Sequence, residues 1–367
     1  MTELATEFKG VPEVNDAGQQ IVKPVFTLRS PGEFLSMEFD DTDIILGDRL
    51  MATSQSFVMA AAGGTGKSRL LLQLIGSIVS GRDFLKFKTG GRDKRWLVLQ
   101  TENSNRRLQR DLIPLRRWLG EDDWLRFCDQ VVIHTVESEI DSFVSLDNPE
   151  NVLHIQSAIE ASHPDIVAID PLGEFGMGDL NTDVAMRMTC QMLTRIVKKG
   201  NAERSICTLH HALTGKGGAA KATGFDRSSF ARSSKVLHSW TRGQVNIAPV
   251  DPDSNDRLIF ACGKCSNGKE FETFAAKLNL DAMIYEVDDS VDLAAWQAEV
   301  TGSTAKDKLM DPAKVADLCL PVMTKAELSK AIVNRCGCAR QTSYKYIYAA
   351  EDRTIVFNKK NETYSKK

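Results

Sequence analysis

The stretch Ala61-Ala62-Gly63-Gly64-Thr65-Gly66-Lys67-Ser68 constrains this chain more than any other. It leaves an apolar, strand-like segment, Ser56–Ala60, and runs straight into an apolar, helix-like one, Ser68–Ser80, with Gly81 as that helix's stop. Glycines let successive backbone N–H groups turn inward around a polyphosphate without Cβ clashes. The N-terminus of the following helix adds partial positive charge. Lys67 is placed to reach the β- and γ-phosphates, and the Ser68 hydroxyl to ligate Mg²⁺. Ala61 stands where such loops usually carry their first glycine, a position that opens the loop rather than touching phosphate. The candidate nucleotide contacts are Gly63, Gly64, Thr65, Gly66, Lys67 and Ser68.

The segments after the loop alternate in period. Trp96–Thr101, Val131–Thr135, Asp165–Ile169 and Ser205–Leu209 read as strands; Asn105–Leu119, Pro149–Ser162 and Thr182–Lys199 read as helices. That alternation implies βαβ crossovers and an α/β fold with a mainly parallel central sheet. Leu97-Val98-Leu99 and Ile166-Val167-Ala168-Ile169 are apolar without a break, as expected of strands covered on both faces. Residues 1–24 read as a polar tail, 25–290 as the large domain, 291–311 as a linker and 312–367 as a small separate domain. At 42% apolar and 26% charged residues, the 367-residue chain can bury such a core. The formal charge of -3 excludes a uniformly basic nucleic-acid coat, so any such contact must come from local patches. No apolar run approaches the ~18 residues of a membrane span, and the acidic N-terminus lacks a signal-peptide core. Eight cysteines read most simply as reduced thiols in a cytoplasmic protein. Cys262-Gly-Lys-Cys265 falls in an expected β-hairpin, Cys336-Gly-Cys338 is spaced too closely for the usual knuckle, and neither has a histidine nearby, so a zinc site is not expected.

Polar groups at the C-terminal ends of parallel strands face one crevice. Asp170 ends an apolar strand and is placed to hold Mg²⁺; it is also the turn-forming residue before Pro171. Glu102 follows the strand Trp96–Thr101 and can orient and deprotonate a water, or simply cap the next helix. A water-activating carboxylate argues for hydrolysis over transfer to a metabolite. His210 and His211 end the next apolar strand. Adjacent strand residues point to opposite faces, so the two cannot chelate one ion together. A γ-phosphate sensor role falls to one of them, expected to be His210.

The phosphate loop at Gly63–Ser68, Glu102 after the next strand, Asp170-Pro171-Leu172 and the His210-His211 pair occur in one order. That order resembles the RecA-type ATPase core, and more narrowly the hexameric RepA-like DNA helicases and their AAA-family relatives in plasmids, phages and mobile elements. The resemblance covers roughly residues 25–290. It implies ATP and Mg²⁺ as cofactors, a ring that is expected to be a homo-hexamer, single-stranded DNA in the central channel, and duplex unwinding in replication. A replication initiator, primase or recombination protein would be the partner. In that family the ATP site lies at a subunit seam and a basic side chain from the neighbour contacts the γ-phosphate. Arg232 and Lys235, on a short helix expected near Arg232–Trp240, are candidates. So is Lys264, in a segment Gly263–Gly268 that resembles the family's β-hairpin with its trans-acting lysine. The alternative is an ATP-gated platform that loads recombination or transposition proteins without separating strands.

Two loops follow the catalytic strands, Pro171–Asp183 and Ala212–Asp226. In RecA-type rings loops so placed grip single-stranded DNA. The second offers flexible glycines with Lys216 and Lys221; the first is acidic, with Phe175 as a stacking candidate. Between Pro312 and Lys367 there are eleven basic against five acidic residues. A capping box at Thr324 and Glu327 opens one helix, Gln341–Ala350 forms a second, and Asn358–Asn361 turns a basic hairpin. That order resembles a winged helix-turn-helix. Thr342, Ser343, Lys345 and Tyr346 are expected to face a groove, with Lys359 and Lys360 at the wing tip. A protein-docking role is the alternative.

Overall fold

The computed structural model describes residues 11–14, 20–23, 28–38, 43–137, 144–231, 235–251, 253–302, 312–319, 322–336, 340–351 and 353–367. The chain divides into two compact units, Met1–Asp41 and Thr42–Lys367. In the first, β1 (Val11–Val14) pairs antiparallel with β2 (Gln20–Lys23). The helix α1 (Pro31–Leu35) opens on a capping box between Ser30 and Glu33. Two four-residue strands carry too few positions for a periodic signal, so the sequence reads there as a polar tail.

The second unit begins with a short antiparallel pair, β3 (Ile44–Leu46) and β4 (Met51–Ala52). Then come β5 (Ser56–Ala61), α2 (Lys67–Ser80), β6 (Trp96–Gln100), α3 (Asn105–Leu119), α4 (Glu121–Gln130), β7 (Val131–Ile133), α5 (Pro149–Ser162) and β8 (Ile166–Asp170). The helix α6 (Asp183–Lys198), β9 (Ser205–His211), α7 (Gly215–Ala220) and α8 (Lys235–Trp240) follow. Four strands come next: β10 (Gly243–Asp251), β11 (Ser254–Cys265), β12 (Phe274–Asn279) and β13 (Ile284–Val287). They join a nine-stranded sheet ordered β13-β12-β11-β10-β5-β9-β8-β6-β7. From β10 through β7 the strands are parallel; β11 to β13 add an antiparallel extension.

The sheet is buried on both faces because its strands alternate between two apolar clusters. Phe57, Met59 and Val98 pack with Leu70, Leu74 and Ile78 of α2 on one side. Val58, Ala60, Leu97 and Leu99 pack with Ile155 and Ile159 of α5 and Met186, Leu193 and Ile196 of α6 on the other. This is the period of two that a covered parallel sheet requires. Registers such as Ala61 opposite His211 and Gln100 opposite Asp170 bring the C-terminal ends of β5, β9, β6 and β8 to one edge. Among the described residues no helix is long and apolar enough to cross a membrane.

Where the sequence suggests a linker, residues 293–301 form a helix, α9 (Leu293–Thr301), capped by Asp292 and anchored by buried Trp296. Its single large anchor gives little helical periodicity to read. The C-terminal elements are α10 (Pro312–Leu318), β14 (Met323–Thr324), α11 (Lys325–Cys336), α12 (Arg340–Ala350), β15 (Ile355–Asn358) and β16 (Thr363–Lys366). They share their own core around Val315, Leu328, Ile332, Tyr346, Ile347 and Ile355, under a three-stranded sheet ordered β14-β16-β15. The Thr324–Glu327 capping box is in place.

Candidate active site

The loop between β5 and α2 takes its shape from two glycines. Gly64 and Gly66 adopt φ of +75° and +77°, a region costly to residues with a Cβ. Nothing lies within 4 Å of where a Cβ on Gly63 would stand, so that side of the loop is open. Thr65 is buried and its hydroxyl donates to the Ala62 carbonyl at 2.8 Å, closing the turn from inside. Asn255 at the start of β11 donates to the Gly64 carbonyl at 3.0 Å, and the Tyr285 hydroxyl donates to the Thr65 carbonyl at 3.2 Å. The antiparallel extension thus braces the loop, a support the sequence alone does not reveal.

Lys67 is buried beneath the loop. Its ammonium donates to the carbonyls of Ala61 at 3.3 Å and Ala62 at 2.9 Å. Burial lowers its pKa, while Asp170 and then Glu102 pull it back up. It also meets His211 Nδ1 at 3.4 Å. A lysine only donates, so Nδ1 accepts and the ring proton belongs on Nε2. That nitrogen faces Glu102 Oε1 at 4.0 Å. Lys67 thus bonds to His211, whose other ring nitrogen faces Glu102 beyond direct hydrogen-bond distance.

Of the histidine pair, where the sequence points to His210, the ring that meets Lys67 is that of His211. His210 is 3% exposed, packed within the sheet, whereas its neighbour carries the ring that meets Lys67 and Glu102. The alternation of strand side chains allows one of the two at the crevice, and register decides which.

Asp170 lies at the end of β8, 3% exposed. Its pKa is raised to about 6 by burial; the Ser68 hydrogen bond lowers it, Glu102 raises it and Lys67 lowers it. Asn103 Nδ2 donates to Ser68 Oγ at 3.3 Å. Asn103 is itself held by Gln100, which accepts from its backbone N–H at 2.7 Å and donates to its carbonyl at 3.1 Å. Gln100 is fully buried and also donates to the His134 carbonyl, tying the loop after β6 to the edge strand. Asn103 and Gln100 are site residues that motif reading misses; the only signal is a polar Gln ending an otherwise apolar strand. Ser68 and Asp170 offer hard oxygen donors, the type that suits Mg²⁺. Among the described residues no three His, Cys, Asp or Glu side chains stand together as a metal cluster. A divalent ion at Ser68 and Asp170 therefore depends on further oxygens from nucleotide and water, as Mg²⁺ commonly does.

Of the candidate trans-acting cations, Lys264 stands away from this edge. Lys264 is in register with Gln244, which is in register with Val58, three residues before Ala61 and roughly 10 Å from the strand end. Its ammonium donates to the His238 carbonyl at 2.7 Å, and burial followed by Arg242 lowers its pKa. Lys235 is exposed at the start of α8, which leads into the same end of β10. Lys264, tied to the His238 carbonyl, does not reach the phosphate loop of its own chain. Arg232 lies outside the described residues. Instead of a tight hairpin at Gly263–Gly268, β11 ends at Cys265 and the chain turns beside Asp48 before β12.

The loops also differ from expectation. Gly215–Ala220 is the short helix α7 rather than an open glycine loop, and Lys216 pairs with Glu299 of α9 at 3.3 Å. Lys221 caps that helix, half-buried. Phe175 is fully buried, so it has no face to offer a base. The exposed aromatic of these loops is Phe225, which stands wholly in solvent after Gly224. In the C-terminal elements Ser343 and Tyr346 are buried, while Lys345 and the turn lysines Lys359 and Lys360 are exposed; Thr342 is half-buried.

Residues 38–219 match the family described as AAA domain. That span contains every member of the Lys67, Ser68, Glu102, Asn103, Asp170 and His211 cluster, and with that geometry it supports nucleotide-dependent activity for this segment. Among solved structures the chain is similar to a KaiC-like protein from the archaeon Pyrococcus horikoshii. The identity is 12%, over 65% of this chain and 91% of that one, with a TM-score of 0.44. No curated protein matches the chain.

Proposed function

We propose that this chain is an ATP-hydrolysing, ring-forming motor on single-stranded DNA, of the kind of the RepA-like hexameric helicases, serving replication of a mobile element. The observation that carries the reading is the convergence of Lys67, Ser68, Glu102, Asp170 and His211 at the ends of four neighbouring strands. Lys67 would leave the Ala61 and Ala62 carbonyls for the β- and γ-phosphates of ATP. Ser68 and Asp170 would hold Mg²⁺, which when bound neutralises charge on those oxygens. Glu102, half-exposed at the crevice, would orient a water and accept its proton. His211, between Lys67 and Glu102, would register the loss of the γ-phosphate and pass it to α7, four residues further on. Arg232, Lys235 and Lys264 remain candidates for the cation that a neighbouring subunit adds to the spreading phosphoryl charge. The distance of Lys264 from its own phosphate loop fits a role in trans. The C-terminal elements would act as a winged helix, a role that their order α10-β14-α11-α12-β15-β16 and their excess of basic residues support.

One observation favours the platform reading: Lys216, a candidate DNA grip, is paired with Glu299. The test is the mass by light scattering with a non-hydrolysable ATP analogue and single-stranded DNA, followed by displacement of a forked duplex. A nucleotide-dependent ring, DNA-stimulated turnover and strand displacement are expected. Stimulated turnover without displacement would support the platform. A monomer whose turnover ignores protein concentration would refute both.

A further inference from the structure

The C-terminal elements carry an arrangement unrelated to ATP. Tyr344 and Tyr348 sit four residues apart on α12 and so share one of its faces. Lys325, the first residue of α11, reaches across to them. Its ammonium lies 5.2 Å from the Tyr344 ring centroid and 4.3 Å from that of Tyr348, and it donates to the Tyr348 hydroxyl. Arg340 closes the other side, 5.9 Å from the Tyr344 ring and donating to its hydroxyl at 3.0 Å. Tyr344 is half-buried against the local core, but Tyr348 is 57% exposed and takes no part in that core. A large aromatic left in solvent with a lysine ammonium over its ring, next to a second tyrosine flanked by an arginine, is a poor arrangement for packing alone. Lys345 is exposed on the same helix, and the surrounding segment has eleven basic residues against five acidic.

We propose that Tyr348, Tyr344, Lys325 and Arg340 form a binding site for single-stranded nucleic acid, in which a base stacks on Tyr348 and the two cations take the flanking phosphates. Phenol faces serve unstacked bases of any identity, and the cations supply sequence-independent affinity. A paired duplex keeps its base faces covered, which is why the site favours single strands over the groove contact expected of a winged helix. On entry the base displaces Lys325 from the Tyr348 ring, and the ammonium transfers to a phosphate, so charge stays compensated throughout. The site rests on the proposed action on DNA but needs neither nucleotide nor a ring. It would let the C-terminal elements hold a strand while the ATP site is idle.

The experiment uses the full chain without nucleotide, titrated into a fluorescent oligo(dT) of about 16 nucleotides, a span within known single-strand footprints. Tyr348→Ala is expected to weaken binding about five- to 150-fold, the range for loss of one base–aromatic stack. Tyr348→Phe keeps the ring face and should bind within about twofold of the parent. Lys325→Ala should reduce the slope of log affinity against log salt by about one. Because Tyr348 lies outside the local core, circular dichroism and melting of Tyr348→Ala should match the parent. Unchanged affinity in Tyr348→Ala, equal loss in Tyr348→Phe, or tighter binding of duplex than of oligo(dT) would overturn the proposal. Hydrolysis is measured separately on the parent protein, so a missing ATPase and a missing strand site are told apart.

Discussion

Replacing Asp170 by Asn is predicted to stabilise the nucleotide-free protein and to abolish its response to Mg·ATP. The Asp170 carboxyl is 3% exposed, and burial raises its pKa from 3.8 to about 6 despite the hydrogen bond from Ser68. On unfolding the group regains water and its ordinary pKa. Between those two values the folded state holds more protons than the unfolded one, so stability falls as pH rises through the window and stays low above it. The gap corresponds to roughly 3 kcal/mol at 1.36 kcal/mol per pH unit. Asparagine has the same shape, still accepts from the Ser68 hydroxyl and carries no charge to desolvate. At about 2–4 °C per kcal/mol for domains of a few hundred residues, the upper bound on the gain is about 6–12 °C. The assay is thermal melting of parent and Asp170→Asn from about pH 4 to about pH 8, each with and without Mg·ATP. The difference should be near zero at the acid end and reach its full value above about pH 7. Mg·ATP should raise the melting temperature of the parent and leave that of Asp170→Asn unmoved. A variant less stable than the parent at neutral pH, or a difference independent of pH, would refute the reasoning.

Asn103→Ala removes one hydrogen bond to Ser68 and is predicted to weaken Mg²⁺-dependent nucleotide binding by about 0.5–1.5 kcal/mol, roughly two- to twelvefold. A Mg²⁺ titration of fluorescent-nucleotide binding checks this, and an unchanged midpoint would exclude Asn103 as the residue that orients Ser68. Phe225→Ala should leave melting unchanged, because the ring is wholly in solvent, yet lower DNA-stimulated turnover at sub-saturating oligo(dT). Equal stimulation in parent and variant would remove Phe225 from the DNA path.

The parts most legible in the sequence were those fixed by local chemistry. The glycines and Lys67 of the phosphate loop, the apolar strand ending at Asp170 and the Thr324–Glu327 capping box each announce themselves within a few residues. What could not be read depends on register or on distant partners. Choosing His211 over His210 requires knowing which face of β9 meets β5. Asn103 gains its place from Gln100 and Ser68, and only Gln100 hints at it. Phe175 looks like an exposed loop aromatic until its place in the core between β8 and α6 is known; Phe225 looks no different in sequence but lies in solvent. The α9 helix was hidden because one tryptophan anchors it, and α7 because five of its six residues are glycine or alanine, a composition that reads as a loop.

The account stands or falls on Glu102 as the group that prepares water beside a bound triphosphate. Steady-state hydrolysis by Glu102→Gln, measured alongside equilibrium binding of Mg·ATP, tests it most directly. The prediction is binding within about twofold of the parent and turnover reduced by about 10²-fold or more, the range for loss of a positioned general base. Parental turnover in Glu102→Gln would contradict it.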